Sequence, residues 1–339
     1  KMKPLIVPKK LNPGDTVAFI SLSGGRAGDP DMIKRYQTGK NRFEEIFGVK
    51  VVETPNALKG NTFIFEHPEK RAEDLHWALQ NPEVKGIICN MGGDDSYRVL
   101  PYLDEKIIHD NPKILMGYSD IATWMCVFAH CGVRAYYGPN VLTPIAQPGS
   151  LDSYTEQAIR KVLFSNEIIG EVPCSEKYTP IEWRDIKPKK IKWTKNDGYF
   201  VLQGKGVHQG RLISLCGGPA QQIIGTKFFP DKEFFEDSII VIEHGLPYGS
   251  HLAGLHCLRA FAAAGIFEKA SAIITGKLDE GSRRTILQLV NKEVHRPDLP
   301  IFENVDFVHH TPMTILPTGA LAQIDCDNKT FSILESGVM

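Results

Sequence analysis

The sequence predicts an α/β protein in which an N-terminal half folds around a parallel sheet and is followed by a smaller, β-rich α+β half. Three observations carry this expectation. The first half alternates short apolar runs with helix-like stretches, a pattern that implies parallel strands covered by crossover helices. Between residues 165 and 199 the texture changes, with Pro173, Pro180 and Pro188, a lysine-rich run at 187–195, and the tryptophans Trp183 and Trp193. From residue 210 onward, short strands gather around one clear helix. The expected organisation is therefore residues 1–165, a connecting segment 166–199 with some extended structure, and residues 200–339. A length of 339 residues suits two cores better than one. There is no internal repeat and no low-complexity tract.

Taken in order, residues 16–21 (TVAFIS) read as a buried strand that leads into a Ser-Gly-Gly turn, and 50–53 as a second short strand. Residues 68–79 have helical spacing, with Pro68 suited to a first turn. Strands follow at 84–90 and 114–117, then a helix over 121–129. In the second half, strands are expected at 211–215, 238–243, 271–275, 301–303 and 322–325, and a helix at 252–264. In parallel sheets, sites form beyond the carboxyl ends of the strands, where this chain places its unusual loops.

Composition narrows the class. Hydrophobic residues at 42% and charged residues at 23% describe a folded globular chain. A net charge of −1 gives no reason to expect a nucleic-acid polymer as partner. No run approaches the roughly 18 apolar residues of a membrane span, and the N-terminus has no signal-like apolar stretch. The seven cysteines are odd in number, irregularly spaced and free of any Cys-x-x-Cys pair, as expected of buried thiols in a reducing, cytoplasmic setting. His309-His310 with Asp306 nearby could suggest metal ligands, but there is no His-Glu-x-x-His and no Cys/His cluster. No metal and no cofactor are expected.

The sharpest local signal is KILMGYSDIATW, in which a buried strand reaches Gly117, Ser119 follows two residues later and a helix begins at once. Strand, tight turn and helix together push a serine hydroxyl out above a sheet. They also bring it to a helix N-terminus that favours a developing anion, with the backbone N–H of Asp120 aimed at that anion. The second glycine of Gly-x-Ser-x-Gly is missing, because Ile121 stands there, and the same segment fits a plain helix cap by Ser119 or Asp120. A second loop, CNMGGDDS, follows another buried strand. Its paired glycines let backbone approach a ligand and present an N–H to an oxyanion. It also fits a simple turn capped by Asp94 or Asp95.

SIIVIEHG is an apolar strand ending in Glu243, a charge that is costly there unless paired. Val308-His309-His310-Thr311 follows further short apolar segments. Ser, Glu, His is one known order of a hydrolytic triad, with a histidine of this pair taking the serine proton and Glu243 holding its tautomer.

These segments together resemble the LD-carboxypeptidase family of serine peptidases: MGGDDSYRVLPYLD, ILMGYSDIAT, YYGPN, IIVIEHG and VHHTPMTILPTG occur in the family's order across nearly the whole chain. The resemblance implies Ser119 as nucleophile and Glu243 as acid. Aligning Pro312 and Pro317-Thr318-Gly319 puts the base on His309, with Val308 in place of the usual glycine and His310 as second choice. It also implies an oxyanion hole from the backbone of Gly93 and Asp120, a Rossmann-like N-terminal domain, and a homodimer. The MGGDDS loop and the tryptophan-bearing segment resemble the microcin C immunity peptidases more than the murein-trimming enzymes. Gly92, Asp94, Trp183 and Trp193 are then the candidate substrate contacts, for a small peptide or aminoacyl-nucleotide. A tryptophan would stack on a purine, with lysines nearby attracting phosphate, although both tryptophans could equally pack domains together. A murein LD-carboxypeptidase is the alternative. A non-enzymatic binding protein on the same cleft would have no use for the strained serine turn and its matching acid and histidine.

Overall fold

The computed structural model describes residues 1–180, 191–243, 251–307 and 309–339. Its first sheet runs Leu316–Pro317, Tyr136–Tyr137, Ile114–Gly117, Val84–Cys89, Thr16–Ile20, Lys50–Glu53. All neighbours among the five N-terminal strands pair in parallel. The four longer strands agree with the sequence expectation to within a residue. They read clearly because a parallel strand covered on both faces is a nearly continuous apolar run. Thr16–Ile20 lies between Lys50–Glu53 and Val84–Cys89, so the chain reverses its direction of travel across the sheet there, and the loops on either side open a crevice. Gly24 of one loop donates its N–H to the carbonyl of Gly92 in the other at 2.9 Å.

Helices Ile33–Phe47 and Pro68–Gln80 cover this sheet, the latter with proline in its first turn. The helix Ala122–His130 differs from both: Ala122 to Ala129 are buried without exception. Apolar on every side, it is a central helix, packed against Tyr136–Tyr137 on one sheet and Val207–Cys216 on the other. The nucleophile candidate therefore sits at the head of a helix buried along nearly its whole length.

The second sheet has eight strands in the order Gly170–Glu171, Thr330–Ile333, Leu321–Asp325, Val207–Cys216, Ser238–Glu243, Ala272–Thr275, Ile301–Glu303, Phe200–Gln203. Its middle four are parallel and its outer strands antiparallel. The register sets Cys216 beside Glu243, both at the carboxyl ends of parallel strands. A third, three-stranded sheet joins His310–Thr311, Lys177–Pro180 and Thr194–Lys195. The stretch expected to connect two domains is thus hydrogen-bonded to the histidine-bearing strand. Among the described residues, no helix is long and apolar enough to cross a membrane.

Candidate active site

Ser119 has φ of 65°, in the left-handed region that side chains other than glycine and asparagine rarely adopt. Such strain persists only where neighbours over-determine it. Here the N–H of Tyr118 donates to Asn140 Oδ1 at 3.2 Å, Asn140 Nδ2 donates back to the Tyr118 carbonyl at 3.4 Å, and the Ser119 N–H donates to Tyr137 Oη at 3.0 Å. Held this way, Ser119 presents Oγ 3.1 Å from His309 Nε2. His309 Nδ1 in turn makes a short hydrogen bond to Glu243 Oε1.

Glu243 is only 2% exposed, so its carboxylate depends on partners rather than water. Besides His309, its Oε2 accepts from Tyr137 Oη at 3.3 Å and from Cys216 Sγ at 3.7 Å. The buried ring of Tyr118 meets the His309 ring edge-on at 5.3 Å, which limits how the imidazole can turn. Burial pushes the His309 pKa down, but the charge and hydrogen bond of Glu243 outweigh it, leaving the imidazole above its ordinary value. The sequence left that sign open.

His310 faces elsewhere. Its ring lies against Tyr178 at 5.5 Å, and its Nδ1 is buried with no hydrogen-bond partner among the described residues. Burial, helped by the Lys277 ammonium, lowers its pKa to about 4. Lys277 itself lies 4.2 Å from the Tyr178 ring centroid. Of the two adjacent histidines, only His309 contacts Ser119 and Glu243.

The glycine loop closes over the serine. A Cβ on Gly92 would come within 2.8 Å of Ser119 Cβ and 3.2 Å of its Oγ, so only glycine allows this approach. Gly93 lies against Ser23 instead, where a Cβ would meet Oγ at 2.3 Å. The buried side chain of Asp120 ties this region together by accepting a short hydrogen bond from Ser23 Oγ and one from the Ser96 N–H at 2.9 Å. Burial raises its carboxyl pKa.

The remaining candidates separate. Asp94 is exposed, and its contact in the structure is through its carbonyl, which accepts from Gln222 Nε2 at 2.7 Å. Its neighbour Asp95 anchors the loop through a two-pronged bond to buried Arg71, at 2.9 and 3.0 Å, and one to Arg98 at 2.8 Å. Trp193 is half-buried, with Lys177 Nζ 4.4 Å from its ring centroid. Trp183 lies outside the described residues. Among the described residues, no three His, Cys, Asp or Glu side chains converge as metal ligands would. Sequence reasoning missed Tyr137, Cys216, Tyr118, Asn140 and Ser23. Tyr118, Tyr137 and Asn140 did lie within motifs it singled out, ILMGYSDIAT and YYGPN, without any role being attached to them.

Residues 17–138 match the family described as the LD-carboxypeptidase N-terminal domain, and residues 209–324 that described as its C-terminal domain. The microcin C7 self-immunity protein MccF of Escherichia coli is 29% identical over 95% of this chain and 94% of its own length. A Bacillus subtilis protein classed as a murein peptide carboxypeptidase is 34% identical over 98% of this chain and 95% of its own. MccF solved with glutamyl sulfamoyl guanosine superposes with a TM-score of 0.84 at 26% identity, covering 99% of this chain and all of the other.

Proposed function

The chain belongs to the LD-carboxypeptidase family, and we propose that it sits in the MccF-like branch and is a serine hydrolase acting on aminoacyl- or peptidyl-nucleotides. The observation that carries this reading is the continuous hydrogen-bonded path from Ser119 through His309 to Glu243. In the proposed reaction Ser119 Oγ attacks the acyl carbon as its proton passes to His309 Nε2. Glu243 stabilises the imidazolium that forms. The oxyanion is met by backbone N–H groups of the two crevice loops, Gly93 and Asp120, because the N–H of Ser119 is already given to Tyr137. As the acyl–nitrogen bond breaks, His309 returns the proton to the leaving amine. Water then hydrolyses the acyl-serine by the same route. A cytoplasmic location and a homodimer belong to the same proposal.

The rate should fall on the acid side, with a midpoint above the ordinary histidine value of about 6.5. The sign follows from the role: only the neutral imidazole can take the serine proton, and Glu243 keeps the charged form populated to higher pH. His310, with its pKa lowered to about 4, stays neutral through that range and contributes no second step. A profile of kcat/KM against pH tests this. A flat profile, or a midpoint below the ordinary value, would argue against His309 as the base.

The nucleotide preference is supported by the aminoacyl sulfamoyl nucleotide held by the structural relative, and by the union of the tryptophan-bearing segment with the histidine strand. The murein reading has its own support in the Bacillus relative. Turnover on an aminoacyl-sulfamoyl adenosine and on a murein tetrapeptide, measured side by side, separates them. If Trp183 or Trp193 is a stacking platform, its replacement by alanine should lower kcat/KM for the nucleotide about 5- to 150-fold and barely affect the peptide. Tryptophans that only pack the segment would depress both substrates alike. Equal losses in both mutants would hand the preference to the murein carboxypeptidase.

A further inference from the structure

We propose that Tyr137 is a positioning residue for the reaction, one that sets the nucleophile's backbone and the acid through a single hydroxyl; this rests on the serine-hydrolase reading above. Tyr137 is fully buried, and its Oη lies 3.0 Å from the Ser119 nitrogen and 3.3 Å from Glu243 Oε2. The chemistry of the groups fixes the direction of both bonds. A backbone N–H can only donate, so the phenol accepts from Ser119. A phenol has one proton, which then points to the carboxylate.

Each bond answers a specific demand. The left-handed turn at Ser119 needs an acceptor for its N–H, and buried N–H groups are costly when unpaired. Glu243 has to offer one oxygen to His309 while the other, in this buried position, is satisfied by protein donors. The ring is fixed by its strand, which pairs Tyr137 with Gly117 on one side and Leu316 on the other, and by an edge-on contact with Phe307 at 6.1 Å. Because Ser119 follows directly on the Ile114–Gly117 strand of the first sheet and Glu243 ends a strand of the second, this hydroxyl joins nucleophile and acid across the two sheets. Nothing in the phenol needs to touch substrate. Its action is exerted through Ser119 and Glu243.

The test is Tyr137→Phe, which keeps the ring and removes the hydroxyl. Turnover should fall about 10- to 100-fold with KM nearly unchanged, the cost expected of losing a hydrogen bond to a buried charged group. The midpoint of the acid limb should also rise further. With one donor fewer, the Glu243 charge is more concentrated and holds the imidazolium more strongly. A residue that merely packs the core would lower thermal stability without moving that midpoint. Site-specific incorporation of 2,3-difluorotyrosine keeps shape and both bonds while making the phenol a stronger donor, so the midpoint should move the opposite way. This second variant decides the matter if Tyr137→Phe fails to fold. Wild-type turnover and midpoint in the variants that fold would overturn the proposal. Ser119→Ala is assayed alongside: an active Ser119→Ala enzyme assigns the failure to the serine-hydrolase reading, and an inactive one assigns it to Tyr137 alone.

Discussion

Replacing Ser119 with alanine is expected to lower turnover by about 10⁴-fold or more while leaving the fold intact, because members of a triad act as a unit. The change is a narrow one. Alanine keeps Cβ, so the left-handed backbone at φ of 65°, the bond from the Ser119 N–H to Tyr137, and the close approach of Gly92 are all retained. What disappears is the hydroxyl that His309 Nε2 meets at 3.1 Å. Circular dichroism and melting temperature should therefore match the parent while kcat collapses. A fluorophosphonate probe should label the parent and not the variant, which also separates an enzyme from a binding protein on the same scaffold. Near-normal turnover by Ser119→Ala in a clean preparation would remove the nucleophile and with it the mechanism.

How far the site could be read from the sequence depended on whether each feature was local. Ile114–Gly117 and the turn into Ser119 were legible because strand, glycine and helix start lie within a dozen residues, and each has its own chemical signature. Glu243 was legible because a carboxylate at the end of SIIVIE has no local explanation. Tyr137 was not, since its strand is two residues long and its meaning depends on Ser119 and Glu243 arriving from elsewhere. The side chain of Asp120 was hidden for the same reason: its partners Ser23 and Ser96 lie on other loops.

The fold shows the same division. Helix Ile33–Phe47 escaped notice because its buried face, Tyr36, Gly39, Phe43 and Phe47, is interleaved with charged residues and includes a glycine that ordinarily weakens a helix. The structure explains the glycine. A Cβ at Gly39 would lie 2.9 Å from Val141 Cγ1 and 3.0 Å from Ala146 Cβ, so the absent side chain is what lets the helix seat. Composition alone marked the proline- and lysine-rich stretch before residue 200 as a connection. It carried no sign that Lys177–Pro180 would pair with His310–Thr311, because strand partners distant in sequence leave no local trace.

That pairing bears on the largest remaining prediction, the choice between two adjacent histidines. His309 lies at a bend just before the strand His310–Thr311, and the two rings turn to different partners. His309 lies between Ser119 Oγ and Glu243 Oε1, while His310 packs on Tyr178 beside the Lys277 ammonium. His309→Ala should therefore lower turnover by about 10⁴-fold or more, as Ser119→Ala does, and the double variant should be little worse than either, since each removes the same proton transfer. His310→Ala loses an aromatic contact of about 0.5–1.5 kcal/mol, which should appear as a lower melting temperature and at most a modest rate effect. Steady-state kinetics on the two variants, with melting curves as a control for folding, decides between them. An inactive His310→Ala beside an active His309→Ala would reverse the assignment within the pair and leave Ser119 and Glu243 standing. Full activity in both would leave the serine without a base, because the hydrogen bond that joins Ser119 to the acid runs through His309.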